Sequence, residues 1–302
     1  MTSRTDPRSA LERITHTDTQ PSPDLTQRRE IAHIVARESA ETLVGRRAGL
    51  RVEVVRRLIG PAARQVAGRF VTYDRALGEA GMLHGSAWIV DDATGGLAVD
   101  GREHVPAQGA LLIVANHPGL SDAVALLAAL GRDDAWIVAA NYPFLRALRL
   151  ASRRFLFVSD DRAGRLSTIR RIVSALRRGE TVVLFPAGGL ELDPELSRGA
   201  ALASLATWSR SIELLARLAH GTLVIPAAVR GVVSRSAFDH PLARRRDGLK
   251  ERQRMATLLQ LALPAYRAER VHITFGAPIA AGGARGVHAA VLETMHALLD
   301  PA

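Results

Sequence analysis

The chain has 302 residues, of which 47% are hydrophobic and 23% are charged, so it is long and apolar enough to bury a sizeable core. The absence of cysteine excludes disulfides, thiolate nucleophiles and cysteine-ligated zinc. A formal net charge of +10 favours anionic partners, such as phosphorylated substrates or acidic lipid headgroups. Three Trp, three Tyr and seven Phe are too few for a base-stacking surface, and we predict no nucleic-acid partner.

The N-terminal quarter of the chain divides into a tail and a helical region. Residues 1–25 are rich in Thr, Ser, Pro and Asp and lack the apolar centre of a signal peptide, which predicts a flexible tail. Across residues 26–80, apolar residues recur every three or four positions, which predicts an amphipathic helical extension. One face of it is apolar and is formed by Val54, Val55, Leu58 and Ile59. Such a face either lies on an anionic membrane or packs on the main domain, and the pattern leaves both open.

Residues 81–302 alternate between strands and helices. Strands are predicted at 96–101, 109–116, 135–140, 180–189, 222–231 and 270–279. Helices are predicted at 121–131, 166–179, 204–221 and 287–299. Because the strands are apolar runs without alternation, helices should cover both faces of the sheet. The predicted fold class is therefore α/β, with a mostly parallel central sheet flanked by helices and an N-terminal helical extension.

A histidine follows the second predicted strand, in the stretch "ANHPGLSD" at 115–122. Ligands of parallel sheets bind beyond the carboxyl ends of the strands, where His117 should lie. Asp122 is either the N-terminal cap of the next helix or the partner of His117, which leaves Nε2 as a general base. The chain has neither a cysteine nor a G-x-S-x-G nucleophile elbow. A His-Asp pair without a protein nucleophile suits deprotonation of a substrate hydroxyl that attacks an ester or thioester.

Four sequence blocks, in this order, resemble those of the glycerolipid acyltransferases. They are "NHPGLSD" at 116–122, "FLFVSDDR" at 155–162, "LFPAGG" at 184–189 and "LVIPAAVRG" at 223–231. The resemblance implies a bacterial enzyme that transfers an acyl group from acyl-CoA or acyl carrier protein to glycerol phosphate or a lysolipid. It implies His117 and Asp122 as the catalytic pair, with no cofactor. The remaining histidines lack metal-ligand spacing, so we predict no metal.

The same resemblance suggests the substrate-binding residues. Arg162 and Arg198 would hold the anionic part of the acceptor, and the Gly188-Gly189 turn would stabilise an oxyanion or a phosphate. The full predicted set is Arg162, Phe185, Pro186, Gly188, Gly189, Arg198 and Pro226.

One residue departs from the family pattern. Ala187 stands where the family usually has glutamate, and this FPAG variant resembles bacterial branches, some linked to lyso-ornithine lipids. The acceptor is therefore left open. Glu191 either returns a carboxylate to the loop or is a surface residue.

Two other functions fit the same residues. The pair could activate water in a thioesterase or lipid hydrolase, or the chain could be a non-catalytic lipid- or acyl-CoA-binding protein. Since no apolar stretch reaches the roughly 20 residues of a membrane-spanning helix, we expect a cytoplasmic protein that is peripheral on the inner face of the cell membrane.

Overall fold

The computed structural model describes residues 23–45, 49–280 and 286–300. It begins with two long helices, α1 (Pro23–Val44) and α2 (Leu50–Ala93), which pack against each other. Residues 1–22 of the predicted tail lie outside the described residues. Its last three residues instead begin α1, where proline fits the first helical turn because that position needs no amide donor.

Helix α2 changes direction at Gly81, where the predicted domain boundary falls. Gly81 has φ 89° and ψ 171°, outside the helical region and accessible to glycine. The Asp133 side chain accepts a hydrogen bond from the Leu83 amide at 2.8 Å, which satisfies a donor freed by the kink. The helix then continues to residue 93, so its last turns precede the first strand directly.

The chain forms one mixed sheet. Its strands are β1 (Leu97–Asp100), β2 (Leu111–Ala115), β3 (Ala135–Ala140), β4 (Phe155–Val158), β5 (Thr181–Leu184), β6 (Leu223–Arg230), β7 (Val271–Phe275) and β8 (Ile279–Ala280). Their order is β1-β7-β6-β2-β5-β3-β4, and β8 also pairs with β6. From β6 to β4 all neighbours are parallel, whereas β7 and β8 run antiparallel to β6. The predicted mostly parallel α/β fold with its N-terminal helical extension is confirmed.

Helices cover both faces of this sheet. The remaining α-helices are α3 (Asp122–Leu130), α4 (Pro143–Ala147), α5 (Arg162–Arg177), α6 (Arg198–Ser204), α7 (Ser211–Leu218), α8 (Arg235–Phe238), α9 (Pro241–Arg244), α10 (Leu249–Ala262) and α11 (Val287–Leu299). Alternate residues of β2 enter two separate apolar clusters, as the strand period of two requires. The first cluster includes residues of α1, α2, α3 and α10, and the second those of α5, α7 and α11. None of the described helices is long and apolar enough to cross a membrane.

Two differences from the predicted elements bear on the site. Strand β4 was not among the predicted strands, because its pairing with β3 is invisible in a local pattern. The helix predicted at 204–221 is interrupted between α6 and α7, where Trp208 adopts extended dihedrals. There the Ser209 amide donates to the Pro186 carbonyl and the Trp208 indole binds Glu191, so contacts to the loop after β5 replace helical hydrogen bonds.

The helical extension is joined to the sheet domain through a buried carboxylate. Asp74 of α2 accepts hydrogen bonds from the Gln27 side chain at 2.7 Å and from the Leu150 and Ala151 amides. Buried carboxylates are costly unless hydrogen-bonded, and this one accepts hydrogen bonds from two other segments of the chain. The extension therefore has a defined position against the main domain.

The apolar face predicted for α2 is divided between protein and solvent. Val55 and Ile59 are half-buried, whereas Val54 and Leu58 are exposed together with Leu50. Packing on the main domain thus accounts for only part of that face.

Candidate active site

The site begins at the carboxyl end of β2, where the side chain of Asn116 makes the hydrogen bonds to β6 that a backbone peptide group would otherwise make. Its side-chain amide donates to the Val229 carbonyl at 2.9 Å and accepts from the Val229 amide at 2.8 Å. The side chain is buried, and it holds the end of β2 against β6. His117 is the next residue, so the chain leaves the sheet there from a fixed point.

His117 and Asp122 lie in direct contact. Asp122 Oδ2 is 2.7 Å from His117 Nδ1 and also accepts the Gly119 amide at 2.9 Å. Its other oxygen accepts the Ala123 amide at 2.5 Å, in the first turn of α3. The N-terminal cap of α3 is Ser121, so Asp122 is not the cap but the first helical residue, and its carboxylate binds the imidazole. A carboxylate only accepts, so the bonded Nδ1 carries the proton and Nε2 is available as a base.

The imidazole of His117 contacts the Phe185 ring and the Asp122 carboxylate, and the charge of Glu191 acts on it from the backbone side. It stacks on Phe185 with ring centroids 4.6 Å apart, and 29% of its side chain is exposed. Burial alone would lower the pKa of His117, but the charge and hydrogen bond of Asp122 and the charge of Glu191 outweigh it. The pKa of His117 is consequently raised above its usual value.

Glu191 is buried beneath the dyad rather than on the surface. Its Oε2 accepts the His117 amide at 2.9 Å, while its own amide donates to the His117 carbonyl at 2.8 Å. Its Oε1 accepts the Ser204 hydroxyl at 2.6 Å and the Trp208 indole N–H at 2.9 Å. The surface interpretation of Glu191 was wrong. No local pattern marks this role, because its partners come from distant segments.

The loops after β2, β5 and β6 are joined by two further buried polar side chains. Gln253 of α10 donates to the carbonyls of Pro118 and Glu191, both at 2.7 Å, and accepts the Asp193 amide at 2.9 Å. The Asp193 carboxylate accepts the Gly231 and Val233 amides at 3.0 Å. The backbone around His117 is thus fixed from three sides.

The two predicted anion-binding arginines lie apart from the dyad. Arg162 is exposed at the start of α5, just after β4, which is three strand spacings or about 14 Å from β2. Arg198 begins α6 and forms an ion pair with Asp300, which follows α11. A neighbouring carboxylate therefore offsets part of its charge.

The predicted residues of the third and fourth blocks differ in accessibility. The Gly188 amide donates to the Phe185 carbonyl at 3.2 Å and closes a turn at φ 68°, so it is not free for an oxyanion. The Gly189 amide makes no hydrogen bond to the described part of the chain, and its Cα faces open space. Pro186 and Pro226 are buried, and Pro226 pairs with Val114 inside the sheet. Ala187 packs against the second apolar cluster.

Sequence reasoning missed Arg146, an exposed cation at the same edge of the sheet. Its guanidinium lies 3.9 Å from the centre of the Phe157 ring, and its Nε donates to Asn141 Oδ1 at 2.7 Å. These contacts orient the guanidinium and leave its terminal N–H groups for a ligand. No motif contains Arg146, and only its neighbours in the fold give it this geometry.

The strand register relates Arg146 to His117. Ala139 of β3 pairs with Phe157 of β4. Two residues beyond the Ile137–Val183 pair, Ala139 is also level with Phe185, which follows β5. Both phenylalanines pack against the first apolar cluster. The Phe157 ring beneath Arg146 and the Phe185 ring beneath His117 therefore lie at the same level on one face of the sheet. They are two strand spacings, or about 10 Å, apart.

An apolar cleft opens beside the dyad on that face. It lies between α2, the start of α3, the loop after β6 and α10. Its apolar lining includes Phe70, Ile89, Leu120, Val124, Val232 and Leu261. Leu120 and Ser121, which lie between His117 and Asp122 in the chain, line this cleft.

Comparison with known proteins finds a family match over the segment that contains the dyad. Residues 96–230, which include β1 to β6 and the dyad, match the family described as Acyltransferase. The predicted acyltransferase resemblance is confirmed over this segment.

Among solved structures, the chain is similar to the 1-acyl-sn-glycerophosphate (LPA) acyltransferase PlsC from Thermotoga maritima. The similarity covers 89% of this chain and 93% of that one, with 15% sequence identity and a TM-score of 0.43. A likeness of this degree assigns no substrate to the present chain. No curated protein sequence matches it.

The contact between the two catalytic candidates predicts a measurable change in titration. In Asp122→Asn, loss of the negative charge should lower the pKa of His117, because that charge favours the imidazolium. NMR titration of the imidazole would measure it, with the His117→Ala spectrum identifying the signal. An unchanged titration midpoint in a folded Asp122→Asn variant would contradict the described geometry.

Proposed function

We propose that the protein is an O-acyltransferase that moves a fatty acyl group from acyl-CoA or acyl carrier protein to a hydroxyl of a lysolipid or glycerol phosphate. The observation that carries the proposal is the His117–Asp122 pair. Its 2.7 Å contact leaves Nε2 without a hydrogen bond to the described residues, at the open end of a strand. The family match over this segment supports acyl transfer as the reaction.

The proposed mechanism is direct transfer without an acyl-enzyme. His117 Nε2 removes the proton of the acceptor hydroxyl, and Asp122 stabilises the imidazolium. The hydroxyl oxygen attacks the thioester carbonyl and forms a tetrahedral intermediate. When this collapses, the carbon–sulfur bond breaks, the ester remains, and the imidazolium returns its proton to the departing thiolate. The Gly189 amide, which makes no hydrogen bond to the described residues, is a donor in this loop that is available for the oxyanion.

The apolar cleft is the proposed site for the fatty acyl chain. Its lining is formed largely by apolar side chains, and it includes Leu120 of the turn that carries the dyad. A chain bound there would bring its thioester carbonyl next to His117. Such positioning lowers the barrier by fixing the orientation of the reacting groups.

Arg146 is the proposed contact for an anionic group of the acceptor. The Phe157 ring beneath its guanidinium lies about 10 Å, by strand spacing, from the Phe185 ring beneath His117, on the same face of the sheet. That separation accommodates a short polar linker between a reacting hydroxyl and an anion bound by the guanidinium. Arg162 is further along the edge and beside the Asp161 cap, so it would contact a larger headgroup.

The exposed stripe of α2 is the proposed membrane contact, which would make the protein peripheral on the inner face of the cell membrane. Leu50, Val54 and Leu58 recur every four residues, and Leu50 and Leu58 are 80% and 74% exposed. At roughly 100° per residue, Arg51 and Arg57 border the stripe on opposite sides. An apolar stripe between cations suits an interface with anionic lipid headgroups.

The mechanism predicts that His117→Ala loses acyl transfer while remaining folded. Removing a general base typically lowers the rate by about 10²–10⁴-fold. Transfer of labelled acyl groups from acyl-CoA to lysophospholipids would measure it, and exposed His84→Ala is the matched control.

Two results would contradict this mechanism. Near-normal turnover in His117→Ala would remove the base from the reaction. Release of free fatty acid at the same rate with and without acceptor would instead identify a thioesterase that uses the same pair.

The acceptor site predicts a selective effect of Arg146→Gln. Losing charge-assisted hydrogen bonds should raise the KM for an anionic acceptor about 10-fold or more, with little change in kcat. Arg149→Gln, an exposed arginine shortly after α4, is the control. Equal KM values in the two variants would exclude Arg146 from the acceptor site.

The membrane contact predicts that Leu58→Glu weakens binding to vesicles that contain anionic phospholipids. Burying one leucine side chain is worth about 1.5–3 kcal/mol, so affinity should fall about tenfold or more. Sedimentation with vesicles would measure it, and Leu218→Glu, an exposed leucine of α7, is the control. Unaltered sedimentation of Leu58→Glu would place the membrane contact elsewhere.

A further inference from the structure

We infer that Glu191 positions the general base, holding the backbone of His117 so that its ring meets the acceptor hydroxyl. The inference rests on the proposed function and concerns how this chain builds that site. It assigns to Glu191 a role inside the protein, distinct from binding of the acceptor.

The hydrogen bonds of Glu191 leave it no capacity for a ligand. Only 2% of the residue is exposed, and both carboxylate oxygens accept hydrogen bonds from protein groups. Oε2 binds His117, while Oε1 binds Ser204 and Trp208 at the break between α6 and α7. A buried carboxylate is stable only with such partners, and an acceptor could not displace them without a large cost.

Glu191 and His117 are joined at two points. The His117 amide donates to the Glu191 side chain, and the His117 carbonyl accepts the Glu191 amide. Asp122 fixes the imidazole by a separate contact. The ring and the backbone of the base are therefore held by different carboxylates, and loss of either would displace Nε2. A displacement of about 1 Å can cost about 100-fold in rate.

The negative charge of Glu191 also acts on the imidazole. The charged groups that shift the pKa of His117 are Asp122 and Glu191, and both favour the protonated ring. During the reaction that ring becomes an imidazolium, so the second carboxylate stabilises the charge that develops. Removing the charge should lower the pKa of His117 and extend the neutral base to lower pH.

The composition of the loop is consistent with this role. Between Phe185 and Leu192, Glu191 is the single acidic residue of the sequence. Ala187, at the position where the resembled family carries glutamate, packs against the apolar core. The carboxylate of this loop therefore comes from Glu191, which binds the backbone of His117.

Glu191→Gln tests the inference, with Glu195→Gln, an exposed residue of the same loop, as the matched control. The amide keeps the size of the side chain but removes its charge and replaces one of its two accepting oxygens by an NH2 donor. We expect kcat to fall by about 10–100-fold, while the KM for the acceptor stays unchanged. The rising limb of the kcat–pH profile should move to lower pH, and the control should match wild type.

Several outcomes would overturn the inference. A raised acceptor KM at unchanged kcat would make Glu191 a substrate contact, and wild-type kinetics would make it merely structural. An unmoved NMR titration of His117 in Glu191→Gln would refute its action on the base, even if the wild type transferred no acyl group. A wild-type protein that transferred no acyl group would count against the proposed function alone.

A second variant decides the matter if Glu191→Gln does not fold. Ser204→Ala removes one hydrogen bond to Oε1 and keeps the carboxylate charge. A several-fold lower kcat at constant acceptor KM supports the positioning role, and a wild-type kcat contradicts it.

Discussion

The site depends on the double attachment of His117 to buried carboxylates. Asp122 binds the ring and Glu191 binds the backbone, at 2.7 Å and 2.9 Å. Each carboxylate is buried and costly alone, but together with backbone donors they link the end of β2 to the loop after β5. Gln253 and Asp193 extend this network to the loop after β6 and to α10. The geometry of the base is thus built into the packing of several segments, as an efficient site requires.

Helix α2 connects this site to its surroundings. Asp74 anchors the helix to the loop before β4, and Phe70 and Ile89 form part of the wall of the apolar cleft. Its first turns present an apolar stripe to solvent. One helix thus reaches from the proposed membrane contact to the cleft beside the base. A lipid acceptor and a fatty acyl chain would both approach the dyad along it.

The sequence predicted those parts of the molecule that depend on local patterns or ordered blocks. Apolar runs separated by helices predicted the sheet, and the block around His117 predicted the dyad, because strand end, turn and helix start are contiguous. The interruption at Trp208 and the burial of Glu191 depend on each other across 17 residues, and neither has a local signal. Arg146 is oriented by Phe157 of a strand that was itself missed. These features require the tertiary register, which a single sequence does not reveal.

The central claim is that His117 acts as the base in acylation of a lipid, and lipid profiling by mass spectrometry tests it most directly. Cells lacking the gene would be compared with cells restored with the wild type or with His117→Ala, at equal protein levels. The account predicts that the wild type alone restores the acylated product and removes the accumulated acceptor, whose mass would also identify the headgroup. Restoration by His117→Ala to the wild-type level would contradict it.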